Sequence, residues 1–317
     1  MAATDHKARF DPAGYASMTM EFRCNLHCEH CMIEGTMDRL VPERGEDFEA
    51  LLAHNREHRR WQGLILTGAE ITLQRDLPDL ARRARGSGFE HVRIQTHGMH
   101  LARKDYLERL VEAGIDEYFV SVAGCDAQTH DAITGVPGSF DKTLQGLANL
   151  ESFPDVVSLT NTVVTERSYR LLPAIVERLA HLRQLEQMEF WLYWPMREDD
   201  DKGLLPRYPD ILPWLEAAIE GCRAHRRSIE IKGFPVCLLG ADGHLVINGQ
   251  PNLFIDPSFW QEFMRNGFNQ CVYRDRCNAS ECLGLNTAYV RKYGWEKDAL
   301  APLATDPCHR FLRWPDV

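Results

Sequence analysis

The sequence predicts an α/β protein: a partial (β/α)6 barrel over residues 1–225, then a smaller cysteine-bearing segment over residues 226–317. Three observations predict it. Short apolar runs alternate with amphipathic helical runs. The strand-like runs begin near residues 64, 92, 118, 157 and 188, at steps of 26 to 39 residues, the length a parallel βα unit needs. After residue 226 the alternation stops, and five of the ten cysteines follow.

The elements follow in order. "MTMEFR" (18–23) reads as the first strand. "GLILTG" (63–68) is a nearly continuous apolar run, as a buried parallel strand should be. "DLPDLARRARGSG" (76–88) reads as a helix stopped by glycine. "HVRIQTHG" (91–98) is a strand. "RKDYLERLVEAG" (103–114) is a helix with Tyr106, Leu107, Leu110 and Val111 on one face and Gly114 as its stop. "DEYFVSVAG" (116–124) and "VVSLTNTVVT" (156–165) are strands, with a helix opened by Ser139 between them. "SYRLLPAIVERLAHL" (168–182) is a helix with a kink or start at Pro173. "QMEFWLYWP" (187–195) is a strand, and "PWLEAAIEGCRAH" (213–225) a helix. Six βα units make an incomplete barrel, and ligands in such folds collect at the C-terminal ends of the strands.

The whole chain narrows the function classes. Its net charge is −10, from 36 Lys+Arg against 46 Asp+Glu, so it offers no general phosphate-seeking surface and nucleic acid is not an expected partner. The arginines at 56–60 and 82–85 read as solvated helix faces. The N-terminus has no apolar signal region, and no apolar run approaches membrane-spanning length. A cytoplasmic location is the expectation, where cysteines act as ligands or catalysts more often than as disulfides.

"CNLHCEHC" (24–31) places Cys24, Cys28 and Cys31 just past the first strand. Soft thiolates select zinc, copper(I) or iron–sulfur clusters. A C-x3-C-x2-C loop suits three corners of a [4Fe–4S] cluster with one iron left open. The alternative is a closed zinc site that recruits His27 or His30 as fourth ligand. In the C-terminal segment, Cys237, Cys271, Cys277 and Cys282 supply four thiolates, enough for a closed [4Fe–4S] cluster or an all-thiolate zinc site. Cys308 is a substitute for Cys237 or spare, and Cys222 reads as a buried helix thiol.

The cysteine loop resembles the signature of the radical SAM enzymes, and the likeness continues over residues 18–200. "LTGAE" (66–70) stands where that family has a "GGE" motif, "IQTHG" (94–98) where it commonly has "TNG". "VSVAGCDAQTHDAITGVPGSF" (120–140) is similar to its fourth-strand segment. The C-terminal cysteines resemble SPASM or Twitch extensions, which carry auxiliary clusters. The resemblance implies S-adenosylmethionine (SAM) chelated to the open iron. Reductive cleavage then gives a 5′-deoxyadenosyl radical that takes hydrogen from a C–H bond. It also implies a second [4Fe–4S] cluster and a reducing partner such as flavodoxin or ferredoxin.

Residue by residue, the resemblance implies that Glu70 accepts from the methionine ammonium while Gly68 and Ala69 allow close backbone approach. Thr96 and Ser121 are placed for the carboxylate or ribose, and Asn161 and Thr162 for ribose or adenine. Two residues depart from the pattern: Ala69 replaces a glycine, and His97 replaces the usual asparagine. Cys125, just past a strand, is a candidate hydrogen donor to a substrate radical, or a turn residue with no chemistry. Of Trp191, Tyr193 and Trp194, alternate members should face inward.

The expected function is a radical SAM oxidoreductase acting on a ribosomally made peptide. The alternatives are a dehydrogenase or rearrangement enzyme for a small metabolite, and a non-catalytic iron–sulfur or zinc protein. With about 17 residues before the first strand, no N-terminal peptide-recognition domain is expected.

Overall fold

A computed structural model describes residues 11–307. Eight parallel strands form one sheet in the order β7-β6-β5-β4-β3-β2-β1-β8, curled into a half-barrel. The six expected strands are β1 (Tyr15–Glu21), β2 (Gly63–Gly68), β3 (His91–Thr96), β4 (Glu117–Ser121), β5 (Val157–Val164) and β6 (Leu185–Leu192). Each is a neighbour of the next in the sheet. Two more strands lie beyond residue 226. β7 (Ser228–Lys232) joins β6, and β8 (Asn252–Phe254) joins the far edge beside β1.

The expected helices are α2 (Leu77–Gly86), α3 (Lys104–Glu112), α5 (Ser139–Leu150), α6 (Leu172–Leu179) and α7 (Tyr208–Ala224). Pro173 stands in the first turn of α6, so it starts that helix rather than kinking one. α7 opens five residues before Pro213 because Tyr208 is buried there against Tyr289, at 3.8 Å between ring centroids. α1 (Glu46–His58), α4 (Ala127–Thr134), α8 (Pro257–Phe263) and α9 (Thr287–Tyr293) were not anticipated from the sequence. α1 buries Phe48, Leu51, Leu52 and Asn55, one face at helical spacing, with acids in its first turn and Arg56 and His58 in its last. Among the described residues no helix is long and apolar enough to cross a membrane.

The apolar core divides in two. The larger part packs the helices against the outside of the sheet. The smaller part, Tyr15, Ile65, Phe119, Val157 and Leu159 with Trp191 against it, lines the lumen. The open side of the half-barrel is closed by the chain itself. Val246 bridges to Ile231 of β7, and six residues later β8 pairs with β1. The lumen that this strap closes is a cavity of about 330 Å³.

Candidate functional site

A second cavity, of about 640 Å³, opens at the C-terminal ends of β2 to β5. Cys24, Cys28 and Cys31 line it, as do Gly68, Ala69, Thr96, Ser121 and Asn161. Eight of the ten cofactor-contact and cluster-loop positions expected there are thus brought to one wall; Thr162 and Glu70 are the exceptions, and Glu70 lies beneath the surface.

The cysteine loop is held from below by α4. The His27 and Glu29 amides donate to the carbonyls of Thr134 and Ile133, at 2.9 and 3.0 Å, where the helix leaves carbonyls without intrahelical partners. Gly135 closes α4 in the left-handed region, and a Cβ there would meet the His27 carbonyl oxygen at 2.9 Å. Asp131 fixes the next turn. Its carboxylate accepts from the Gly138 and Phe140 amides at 2.5 and 2.8 Å and from the Ser139 hydroxyl at 2.8 Å. The stretch 120–140 is therefore a platform for the loop. Its signal was present in the sequence as Asp131, Gly135 and Ser139, but only as part of a pattern.

Burial pushes the Cys24 thiol up to about 11 and the Cys28 thiol to about 12. For Cys28 the neighbouring sulfurs of Cys24 and Cys31 push the same way. Such thiols become thiolates when a cation takes the proton's place. Among the described residues no three His, Cys, Asp or Glu side chains converge on a point fit for one ion. A zinc site would hold its sulfurs within about 4 Å of one another, given Zn–S bonds of about 2.3 Å. His30 and His130 line this cavity, and His30 Nδ1 and His130 Nε2 are buried without a hydrogen-bond partner. Three thiols spread along a wall beside orphaned nitrogens fit a cluster with a polar ligand on it.

The second motif is steric. Gly68 has φ 156°, and a Cβ there would lie 2.0 Å from the Glu21 carbonyl oxygen. The Ala69 amide donates to that same oxygen at 2.6 Å. Ala69 is not among the residues with positive φ, so a side chain costs nothing at this position.

Glu70 differs from expectation. It is fully buried and does not line the cavity. Oε1 accepts from the Thr72 amide and hydroxyl and from Thr96 Oγ1, at 2.9, 2.5 and 2.7 Å. Oε2 accepts from the His97 amide at 2.9 Å and lies 3.0 Å from His97 Nε2. Five donors surround the carboxylate, so Glu70 organises the wall from beneath. His97 now has a place. Its Nδ1 accepts from the Met99 amide at 3.2 Å, which puts the ring proton on Nε2. That proton is shared between Glu70 and Asn25 Oδ1, the latter 2.7 Å away. Burial holds the imidazole below its usual range, so it is neutral. His97 thus ties the cysteine loop to the end of β2.

Other candidates separate. Cys125 is not among the residues lining the cavity; its sulfur lies 3.7 Å from Asp126 at the entrance to α4. Thr162 points away and donates to the Val122 carbonyl at 2.9 Å. Trp191 lines both cavities, Tyr193 is buried in the main core, and Trp194 stacks on Phe268 at 4.3 Å. Cys222 is buried in α7.

The C-terminal thiols also come together. An antiparallel bridge between Gln270 and Leu285 sets Cys271 opposite Gly284, and the Cys277 and Cys271 sulfurs lie near enough to push the Cys282 thiol up. Burial pushes the Cys237 thiol up, an Ala301 amide pulls it back, and Cys282, Cys271 and Cys277 each push it up again. Amides are aimed at the sulfurs: Tyr273 at Cys271, Gly284 at Cys282 and Leu303 at Cys277, at 3.5, 3.4 and 3.4 Å. The Leu26 amide treats Cys24 the same way, at 3.4 Å. Amide dipoles aimed at sulfur stabilise thiolate charge. Cys308 lies outside the described residues.

Comparison with known proteins places these features. A family model described as the radical SAM superfamily matches residues 19–179, just over half of the chain. The "AdoMet-dependent heme synthase" of Methanosarcina barkeri is 31% identical over 196 residues, which cover 61% of this chain and 54% of that protein. The "Probable GTP 3′,8-cyclase" of Methanopyrus kandleri is 32% identical over 170 residues, covering 54% and 53%. The chain therefore spans about half the length of the curated relatives it matches. Among solved structures, Streptococcus suis SuiB bound to its precursor peptide SuiA superposes with a TM-score of 0.57 at 16% identity, covering 72% of this chain and 50% of that one. Native anSMEcpe with bound AdoMet gives 0.55 at 16%, covering 68% and 64%. At such identities the likeness is one of fold.

Proposed function

Because this chain belongs to the radical SAM superfamily, we propose that it cleaves SAM reductively at a [4Fe–4S] cluster on Cys24, Cys28 and Cys31 and oxidises a small organic substrate held in the lumen. The observation that carries the substrate half is the modest size of the lumen. A cavity of about 330 Å³, strapped by residues 246–254, suits a small molecule better than a threaded chain. The curated relatives' names, a heme synthase and a GTP cyclase, point the same way. A peptide substrate, which the C-terminal resemblance implies, would have to displace that strap.

With cluster and SAM bound, one electron breaks the S–C5′ bond and supplies a carbon radical. The chain's own residues do the rest. Gly68 and Ala69 let the backbone close on the ligand. Thr96, Ser121 and Asn161 offer polar groups along the strand ends, and His30 and His130 offer two unpartnered nitrogens. Glu70 and His97 keep that wall rigid. Gly68, Gln95, Phe119 and Trp191 line both cavities, so the radical's site and the lumen adjoin. We assign a second cluster to Cys237, Cys271, Cys277 and Cys282. Full thiolate ligation there suits acceptance of one electron from the substrate radical, which leaves the oxidised product.

Anaerobic reconstitution with iron and sulfide, then dithionite and SAM, tests the reading. The wild type should yield 5′-deoxyadenosine and bind about eight irons per chain; Cys24→Ala should yield none. A fully reconstituted wild type that makes no 5′-deoxyadenosine, or a Cys24→Ala variant that makes as much, sinks the proposal. About four irons in the wild type would remove the second cluster alone. A low-molecular-weight extract that raises the 5′-deoxyadenosine yield supports the small substrate; a response confined to peptide fractions overturns it.

A further inference from the structure

The platform under the cysteine loop carries a polar atom that the fold leaves unmatched. His130, on α4, is 1% exposed and lines the larger cavity together with Thr134. Its Nε2 is buried without a hydrogen-bond partner, while its Nδ1 lies 3.1 Å from Ser139 Oγ. A buried polar atom left alone is costly, so a native structure supplies it with a partner.

The protons around Ser139 decide which kind of partner. Ser139 has one hydroxyl proton and three neighbours: Asp131 Oδ1 at 2.8 Å, Thr134 Oγ1 at 2.7 Å and the His130 ring. The Asp131 carboxylate is held in its charged form by the Phe140 and Gly138 amides, and a carboxylate only accepts. The Ser139 proton therefore goes to Asp131, the charge-assisted choice. The two lone pairs of Ser139 Oγ are left for the Thr134 hydroxyl and for His130 Nδ1–H. Burial holds the His130 imidazole down at about 4, which keeps it neutral. A neutral ring that donates from Nδ1 has a bare lone pair on Nε2. Ser139 is fully buried and is not among the residues lining the cavity, so the ring edge left for the cavity wall is the one that carries Nε2. His97, on the same wall, has the opposite tautomer and both its nitrogens are used.

We propose that His130 Nε2 accepts a hydrogen bond from an N–H or O–H group of bound SAM and so helps to seat the cofactor. A cluster sulfide, a thiolate and the SAM carboxylate offer no proton, so none of them matches a bare lone pair. SAM carries three kinds of donor: the methionine ammonium, the ribose hydroxyls and the adenine amine. Asp131 then has two duties. It fixes the turn beneath the cysteine loop, and through Ser139 it sets the tautomer of a cofactor-binding residue. This inference deepens the proposed function and rests on SAM binding at the first cluster.

The test is calorimetric titration of SAM into the reconstituted protein without dithionite, so that binding is read without turnover. Two substitutions separate the roles. His130→Asn keeps an N–H where Nδ1 stands and deletes the acceptor. His130→Gln sets an acceptor near the place of Nε2 and deletes the bond to Ser139. The acceptor role predicts that His130→Asn weakens SAM by about three- to tenfold if the donor is neutral, and by about tenfold or more if it is the ammonium. His130→Gln should stay within about threefold of wild type. A purely structural role predicts the reverse order. Methionine and adenosine as probes distinguish the donors: His130→Asn should weaken methionine alone if the ammonium is bound, and adenosine alone if the ribose or the adenine is. A His130→Asn protein that binds SAM within about threefold of wild type overturns the proposal, and so does one that loses its iron. If His130→Asn does not fold, His130→Gln decides, and a loss beyond about threefold overturns the proposal. A wild type that binds no SAM sinks the proposed function and this inference together. A wild type that binds SAM beside an unaffected His130→Asn counts against His130 alone.

Discussion

Replacing Asp131 with alanine should loosen the first cluster site without touching a ligand. The carboxylate holds two amides and one hydroxyl, from Gly138, Phe140 and Ser139. Hydrogen bonds to a charged group are each worth about 1.5–3 kcal/mol, but the side chain is partly exposed and water recovers some of that. A net loss of about 3 kcal/mol is the reasonable sum. At about 2–3 °C per kcal/mol for a chain of this size, the melting midpoint should fall by about 6–9 °C. The same change frees the end of α4, whose Ile133 and Thr134 carbonyls hold the cysteine loop, so iron bound per chain should fall with it. The acid dependence has a definite sign. Burial works against the charged form of Asp131, but the Phe140 and Gly138 amides and Ser139 outweigh it and hold the carboxyl below its usual range. A depressed folded value adds stability above the ordinary carboxylate range, about pH 3.9, and that stability is lost as pH falls below it. Melting curves of wild type and Asp131→Ala should therefore differ fully at neutral pH and converge in acid. Midpoints within about 1 °C at neutral pH, with full iron content, would refute the platform.

Four further outcomes follow from the same geometry. Gly68→Ala places a Cβ 2.0 Å from the Glu21 carbonyl, so 5′-deoxyadenosine formation should drop by at least about a hundredfold while the fold is retained by circular dichroism. His97→Phe removes the shared proton from Asn25 and Glu70; about 2 kcal/mol of stability should go with it, read as a lower denaturant midpoint. Cys282→Ala should lower bound iron from about eight to about four per chain, yet leave uncoupled 5′-deoxyadenosine formation within about twofold of wild type. Cys125→Ser should change neither iron content nor turnover, because its sulfur lies outside both cavities; a tenfold loss would restore it to the site.

Much of this was legible in the sequence where the signal is local. β2 and β3 show as apolar runs ending in glycine, and Cys24, Cys28 and Cys31 sit within eight positions. α1 has its buried face at helical spacing but is wrapped in charge, so its pattern is diluted. β7 carries "SIEIK", a readable alternation, but the helix that usually follows a strand is missing there. β8 is three residues long, too short for any periodicity to speak. Glu70 was assigned a ligand because its donors come from Thr72, Thr96 and His97, which only the folded sheet brings together. The lumen-lining acids Glu189 and Glu230 left little trace: β6 also carries Glu186 and Gln187, and β7 also carries Ser228 and Lys232. Which face they take depends on register, and register is set by neighbours.

The C-terminal segment is joined to the lumen by more than sequence continuity. Glu281, the neighbour of Cys282, accepts the Asn248 amide at 2.9 Å, and its carbonyl takes the Asn248 side chain. Asn248 in turn accepts from the Gly233 amide at 2.8 Å, just past β7. Asn248 belongs to the strap that crosses from Val246 to β8 and closes the half-barrel. The residue next to the lumen-lining Gly249 and Gln250 is thus held by the residue beside the Cys282 thiol. Any change that moves Cys282 is transmitted through Glu281 and Asn248 to the strap, two bonded contacts away. A sheet left open between β7 and β8 could not keep water from a carbon radical. In this chain the strap runs through the same segment that gathers the four C-terminal thiols, so a cluster proposed there would share a wall with the lumen.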